Sequence, residues 1–99
     1  MKYEEMVKMI EDNRKPFFEH REGNVIYRYF YKNSPGHLFK WHHDESDRIV
    51  EVLCETDWKF QFDNEMPVEM IKGDKIKILK GVIHRVIPGD RSLTVKIIE

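Results

Sequence analysis

After Pro16 no stretch of this chain carries helical apolar spacing; the remainder is a series of short runs rich in β-branched and aromatic residues. Alternation or β-branching marks Val25 to Tyr31, Leu38 to His42, Arg48 to Cys54, Trp58 to Asp63, Val68 to Met70, Lys75 to Leu79, Ile83 to Ile87 and Leu93 to Ile98 as strands. Turn-forming clusters separate them: Lys32 to Gly36, Asp44 to Asp47, Asp63 to Glu65, Gly73-Asp74, Lys80-Gly81 and Pro88 to Asp90. A parallel sheet needs helices over its faces, and none is left to supply them. About eight antiparallel strands closing into a barrel or sandwich are therefore predicted. The one helical signal lies earlier. Tyr3, Met6, Val7, Met9, Ile10 and Asn13 share mostly one helical face, which predicts a short amphipathic N-terminal helix ended by Pro16.

At 99 residues the chain has room for one domain. Its 17 Lys+Arg and 18 Asp+Glu are interspersed and leave a net charge of −1. That balance supplies no electrostatic drive toward nucleic acid or an anionic membrane. No apolar run approaches the ~20 residues of a membrane helix, and the start, MKYEEMVKMIEDNRK, lacks the basic-then-apolar order of a secretion signal. A cytoplasmic protein is expected. Cys54 is the single cysteine, so neither an internal disulfide nor a Cys-cluster metal site can form. A hydrophobic content of 40% suffices for one core, although a domain this small buries a modest fraction of its surface. Exposed aromatic strand faces and an uncovered sheet edge make a homodimer the expected state.

The densest polar constellation is Trp41-His42-His43-Asp44-Glu45-Ser46-Asp47-Arg48, where one predicted strand ends and the next begins. If Leu38 to Asp44 stays extended, Leu38, Lys40, His42 and Asp44 share one face, and Phe39, Trp41 and His43 the other. In the next strand Arg48, Val50, Val52 and Cys54 share a face opposite Ile49, Glu51 and Leu53. Both faces are partly apolar, so periodicity leaves open which one is inside. Trp58, Phe60 and Phe62 alternate with polar residues and read as a core face. Tyr27, Tyr29 and Tyr31 read equally as a pocket wall or a dimer surface. His20, His37 and His43 read as surface residues, and Glu45 and Asp47 as a solvated turn.

Taken in order, Gly36, His42, Asp44, Arg48 and Glu55, then Gly73, Leu79, Gly81 and His84, resemble the two signature motifs of the cupin superfamily, in particular its small RmlC-like members. Gly36 and His42 match the first motif literally, with Asp44 in the place of its second His, Arg48 in that of its Glu and Glu55 in that of its closing Gly. Gly73, Gly81 and His84 match the second, with Leu79 replacing its Pro and Pro88 its Asn. The 17 residues between Glu55 and Gly73 suit the short segment between motifs in small members. A second register places Trp41 and His43 in the two His slots but loses Gly36.

The resemblance implies a double-stranded β-helix, or jelly-roll barrel, over residues 24–99, with residues 1–23 forming the helix and a lead-in strand. It also implies a divalent metal inside the barrel, on three His and one Glu. Of those four positions this chain keeps His42 and His84. Asp44 is chemically able to be a third ligand to iron, manganese, zinc or nickel. Arg48 brings a permanent cation to the fourth position, and if it points inward it needs a partner, for which Asp44 is nearest. The ligand-binding set expected from these arguments is His42, Asp44, Arg48 and His84, receiving a small molecule whose negative charge would suit Arg48. Three readings remain open. One is a metal-dependent enzyme on His42, Asp44 and His84; another is a metal-free site with a His base and Arg48 steadying negative charge; the third is a non-catalytic ligand binder or assembly piece.

Overall fold

The computed structural model describes residues 17–99; the predicted N-terminal helix lies outside them. Eight strands run in order: β1 (Phe18–Glu22), β2 (Val25–Phe30), β3 (Arg48–Val52), β4 (Lys59–Phe62), β5 (Val68–Glu69), β6 (Lys75–Ile78), β7 (His84–Ile87) and β8 (Leu93–Ile98). They form a five-stranded sheet, β1-β2-β8-β3-β6, and a three-stranded sheet, β5-β4-β7, with every pairing antiparallel. Among the described residues no helix is long and apolar enough to cross a membrane.

The core lies between the two inner faces, as the period of two along each strand requires. The large sheet contributes Ile26 and Phe30 from β2, Val50 and Val52 from β3, Ile78 from β6, and Leu93, Val95 and Ile97 from β8. The small sheet answers with Phe60, next to Trp58, whose ring packs against Phe30 and Phe39 at centroid distances of 5.4 and 5.2 Å. The indole Nε1 donates to the Arg91 carbonyl, which satisfies the one polar group of a fully buried side chain. The face of β3 carrying Val50 and Val52 is the inner one, and it brings Arg48 inside with them. Tyr27 and Tyr29 take the face of β2 opposite Ile26 and Phe30, and Tyr31 follows the strand. Their outer ladder includes His20 stacked on Tyr27 and Tyr29 edge-on to Tyr31.

One predicted strand is absent. Leu38 to His42 is a single 3-10 turn, Gly36–Leu38, continued by irregular backbone that touches the small sheet through one isolated bridge, His42 to His84. Pro35 and Gly36 start the turn, with Leu38 N–H donating to the Pro35 carbonyl at 3.2 Å and Phe39 N–H to that of Gly36 at 3.1 Å. Phe39 then turns into the core, where burial of its ring outweighs the extended preference of its neighbours. The strand β1, by contrast, reads Phe-Glu-His-Arg-Glu and is almost wholly exposed. It is an edge strand, and its register with β2 sets opposite charges facing, with Arg28 Nε donating to Glu19 at 2.8 Å.

Candidate functional site

Three strands and one loop place polar side chains on otherwise apolar inner walls. Arg48 opens β3, two positions before Val50, and His84 opens β7, two before the inward Val86; Arg28 lies on β2 between Ile26 and Phe30. His42 and Asp44 come from the irregular segment, which is pinned from both sides. His42 and His84 exchange both backbone hydrogen bonds, at 3.0 and 2.9 Å, so that their side chains project to the same face. The Asp44 carbonyl accepts from Gly81 N–H at 3.0 Å, and the Asp47 carboxylate from Lys80 N–H at 2.8 Å. Asp47 thus anchors the β6–β7 turn, where the sequence suggests only a solvated loop. Gly81 has a φ of 81° in that turn, a conformation that side chains resist, and Val82 N–H closes it onto Leu79. The turn delivers His84 three residues later.

Arg28, His42, Asp44, Arg48 and His84 line a cavity of about 420 Å³ whose remaining walls are mainly the core faces of both sheets. His84 is buried and His42 is exposed at the rim, its ring against that of His84 at a centroid distance of 4.3 Å. Phe60 stacks on the far side of His84 at 5.6 Å. The ligand atoms of His42, Asp44 and His84 all lie within 4.8 Å of one another.

The hydrogen bonds fix the character of both imidazoles. His84 Nδ1 lies 2.8 Å from the Val82 carbonyl and His42 Nδ1 3.1 Å from that of Lys40. A carbonyl only accepts, so Nδ1 carries the proton in each ring and the neutral form presents a bare Nε2 lone pair. His84 Nε2 faces Asp44 Oδ2 at 3.3 Å, and that carboxylate oxygen is buried without any hydrogen-bond donor. Two acceptors pointing at each other this closely call for a cation between them, either a proton on the ring or a metal ion. Burial pushes the His84 pKa below its ordinary value, helped by the neighbouring His42 and Arg48. The Val82 carbonyl and Asp44 oppose this without reversing it. Two neutral imidazole nitrogens and one carboxylate oxygen are a donor set that zinc, iron and manganese accept, so the residues present fit a divalent metal.

Arg48 is inside and is fully engaged. Its Nη1 lies 3.2 Å from Asp44 Oδ1, while Nε and Nη2 donate to Glu99 Oε2 at 3.1 and 2.9 Å. The four residues the sequence singles out therefore converge, with the sequence pairing of Asp44 and Arg48 intact. Trp41 and His43, the alternative ligand pair, do not converge with them: both are exposed, Trp41 against Arg85 and His43 near Glu45. Two further participants, Glu99 and Arg28, lie outside the motif positions. Glu99 succeeds Leu93, Val95 and Ile97 at the same period, so alternation carried one residue further places it on the inner side. Arg28 sits between two buried apolar positions on the same face and carries the same signal.

No family model matches the sequence, and no curated protein matches it. Solved structures do match. An RmlC-like cupin with a double-stranded β-helix fold from Methanocaldococcus jannaschii superposes with a TM-score of 0.68 at 8% identity, covering 84% of this chain and 78% of that one. A cupin-2 domain protein from Shewanella frigidimarina gives 0.61 at 14% identity, over 100% and 92% of the two chains. The DMSP lyase DddQ from Ruegeria pomeroyi gives 0.67 at 18% identity, over 87% of this chain and 47% of the lyase. The three-dimensional likeness shows a cupin-like fold, a double-stranded β-helix, here with a polar cluster set into its inner wall.

Proposed function

We propose that this protein holds a divalent cation on His42, Asp44 and His84 and binds beside it a small molecule with an apolar body and a polar, acidic head. The observation carrying this reading is the buried, donorless Asp44 Oδ2 facing the lone pair of His84 Nε2 at 3.3 Å. The two Nδ1–H donations to backbone carbonyls support it further, since they orient both rings before any cation arrives. The apolar walls contributed by Phe60, Val86, Leu93 and Ile97 favour a hydrophobic ligand body, with orientation left to the polar end. A bound cation supplies Lewis acidity to an oxygen of the ligand. The chain's own part is to exclude water from the apolar walls and to keep a compensated guanidinium next to the head group. A DMSP lyase shares the fold, and fold alone does not transfer its reaction.

A metal-free pocket is the second reading, favoured by the Asp44–Arg48 ion pair at 3.2 Å. Titration calorimetry of chelator-stripped protein with Zn²⁺ and Mn²⁺ separates the two. Wild type should bind a single equivalent. His84→Ala and Asp44→Asn should bind more than ~100-fold weaker, beyond the 10–100-fold that outer partners of a ligand contribute. A wild type that binds neither ion, or a His84→Ala variant that binds both unchanged, would establish the metal-free pocket instead.

A further inference from the structure

Arg48 poses a problem for the cation site, because a guanidinium competes for Asp44 and repels a dication at short range. Its geometry contains the answer. The guanidinium spends its Nε–Nη2 edge on Glu99, at 3.1 and 2.9 Å, and turns a single nitrogen, Nη1, toward Asp44 Oδ1 at 3.2 Å. Glu99 has further partners of its own. Arg21 from β1 donates to its other oxygen at 2.9 Å, and Ser46 from the loop before β3 to Oε2 at 3.3 Å. Its backbone is tied to Asn24 by two further bonds, at 3.0 and 3.3 Å. One carboxylate thus gathers three donor residues from two separate parts of the chain, and its own pKa is lowered by Arg21 and Arg48.

We propose that Glu99 is a positioning residue for the cation site: it holds Arg48 by one edge so that Asp44 Oδ2 stays open to a divalent ion. The inference rests on the cation reading above. Without Glu99 the paired edge of the guanidinium is free to grip both Asp44 oxygens, the preferred arrangement of arginine and carboxylate, and Oδ2 is then occupied. The charge of Glu99 acts in the same direction, since it offsets the guanidinium that would otherwise oppose an incoming dication.

The test is a titration with Co²⁺, read by the visible absorption of the coordinated ion, on wild type, Glu99→Gln, Arg48→Met and the double variant. Thermal unfolding checks that each is folded. Glu99→Gln should bind at least ~10-fold weaker, Arg48→Met at least as tightly as wild type, and the double variant should match Arg48→Met within about twofold. That dependence on Arg48 is the signature, because a purely structural role for Glu99 would weaken both backgrounds alike. Wild-type affinity in Glu99→Gln, or an equal loss when Arg48 is already gone, overturns the inference while leaving the cation site standing. A wild type that gives no cobalt spectrum removes the site and the inference together.

Discussion

Asp57 and Gly89 meet away from the cavity, at the β7–β8 connection. The Asp57 carboxylate accepts from the backbone N–H groups of Asp90 and Arg91, both at 2.9 Å, and so closes the β7–β8 connection. Gly89 passes so near that a Cβ there would overlap the Asp57 carboxylate, and it would lie 2.8 Å from the Asp57 backbone carbon. The glycine is needed for close approach, since its φ is not left-handed. The two N–H donors, Arg91 first, hold the Asp57 pKa below its ordinary value of 3.8. A depressed carboxylate pKa means that the unfolded chain binds the proton more readily. The stabilisation is then complete above pH 3.8 and is lost as the pH falls through the lower, folded value. Chemical denaturation of wild type and Asp57→Asn across that range should show a constant advantage for wild type near neutrality that shrinks only below pH 3.8. An advantage already fading at pH 6 would point to another group.

Among the elements, the β6–β7 turn matters most to the site, because it sets where β7 begins and hence where His84 points. Gly81 has open space around its α-carbon, so Gly81→Ala meets no clash and isolates the cost of a left-handed backbone. That cost is about 1–2 kcal/mol, measurable by urea denaturation, and binding at the cavity should weaken to the extent that the strained turn shifts its N–H away from the Asp44 carbonyl. The same physics decides how far these elements are legible in the sequence. Strands with one apolar face, such as β4 and β8, announce themselves by alternation, and the family resemblance carried by Gly36, His42, Gly73, Gly81 and His84 points to the site residues. The segment from Leu38 to His42 reads as a strand because its residue types suit one. What decides against it is tertiary: Phe39 seeks the core and a single bridge to β7 replaces a ladder. Glu99 and Arg28 carry the inward alternation, but a charged residue at such a position is not recognisable as part of a site until its partner is known, and their partners, Arg48 and Glu19, are 51 and 9 residues away in sequence.

For the molecule as a whole, the two sheets enclose a hollow whose walls are cheap to desolvate and whose one polar corner is costly unless every group there is matched. Arg21, Glu99, Arg48 and Asp44 form a chain of alternating charge that runs inward from β1, and it ends on the oxygen that has no donor. Among the described residues, Asp44 Oδ2 is the buried side-chain oxygen left without a hydrogen-bond partner, and it lies beside the Nε2 atoms of two imidazoles. That is the arrangement of a binding site rather than of a uniformly packed core.

The reciprocal amide bonds between His42 and His84 give this corner a clock as well as a shape. This isolated bridge joins a loop to a sheet with no ladder beyond it, so its two amides should trade hydrogen for deuterium sooner than those of β8, which is laddered on both sides. An ion bridging the same two side chains would rivet that junction shut. Adding Zn²⁺ should slow exchange at those two positions while leaving β8 as it was, and unaltered protection at both would mean that the junction opens without regard to what the side chains hold.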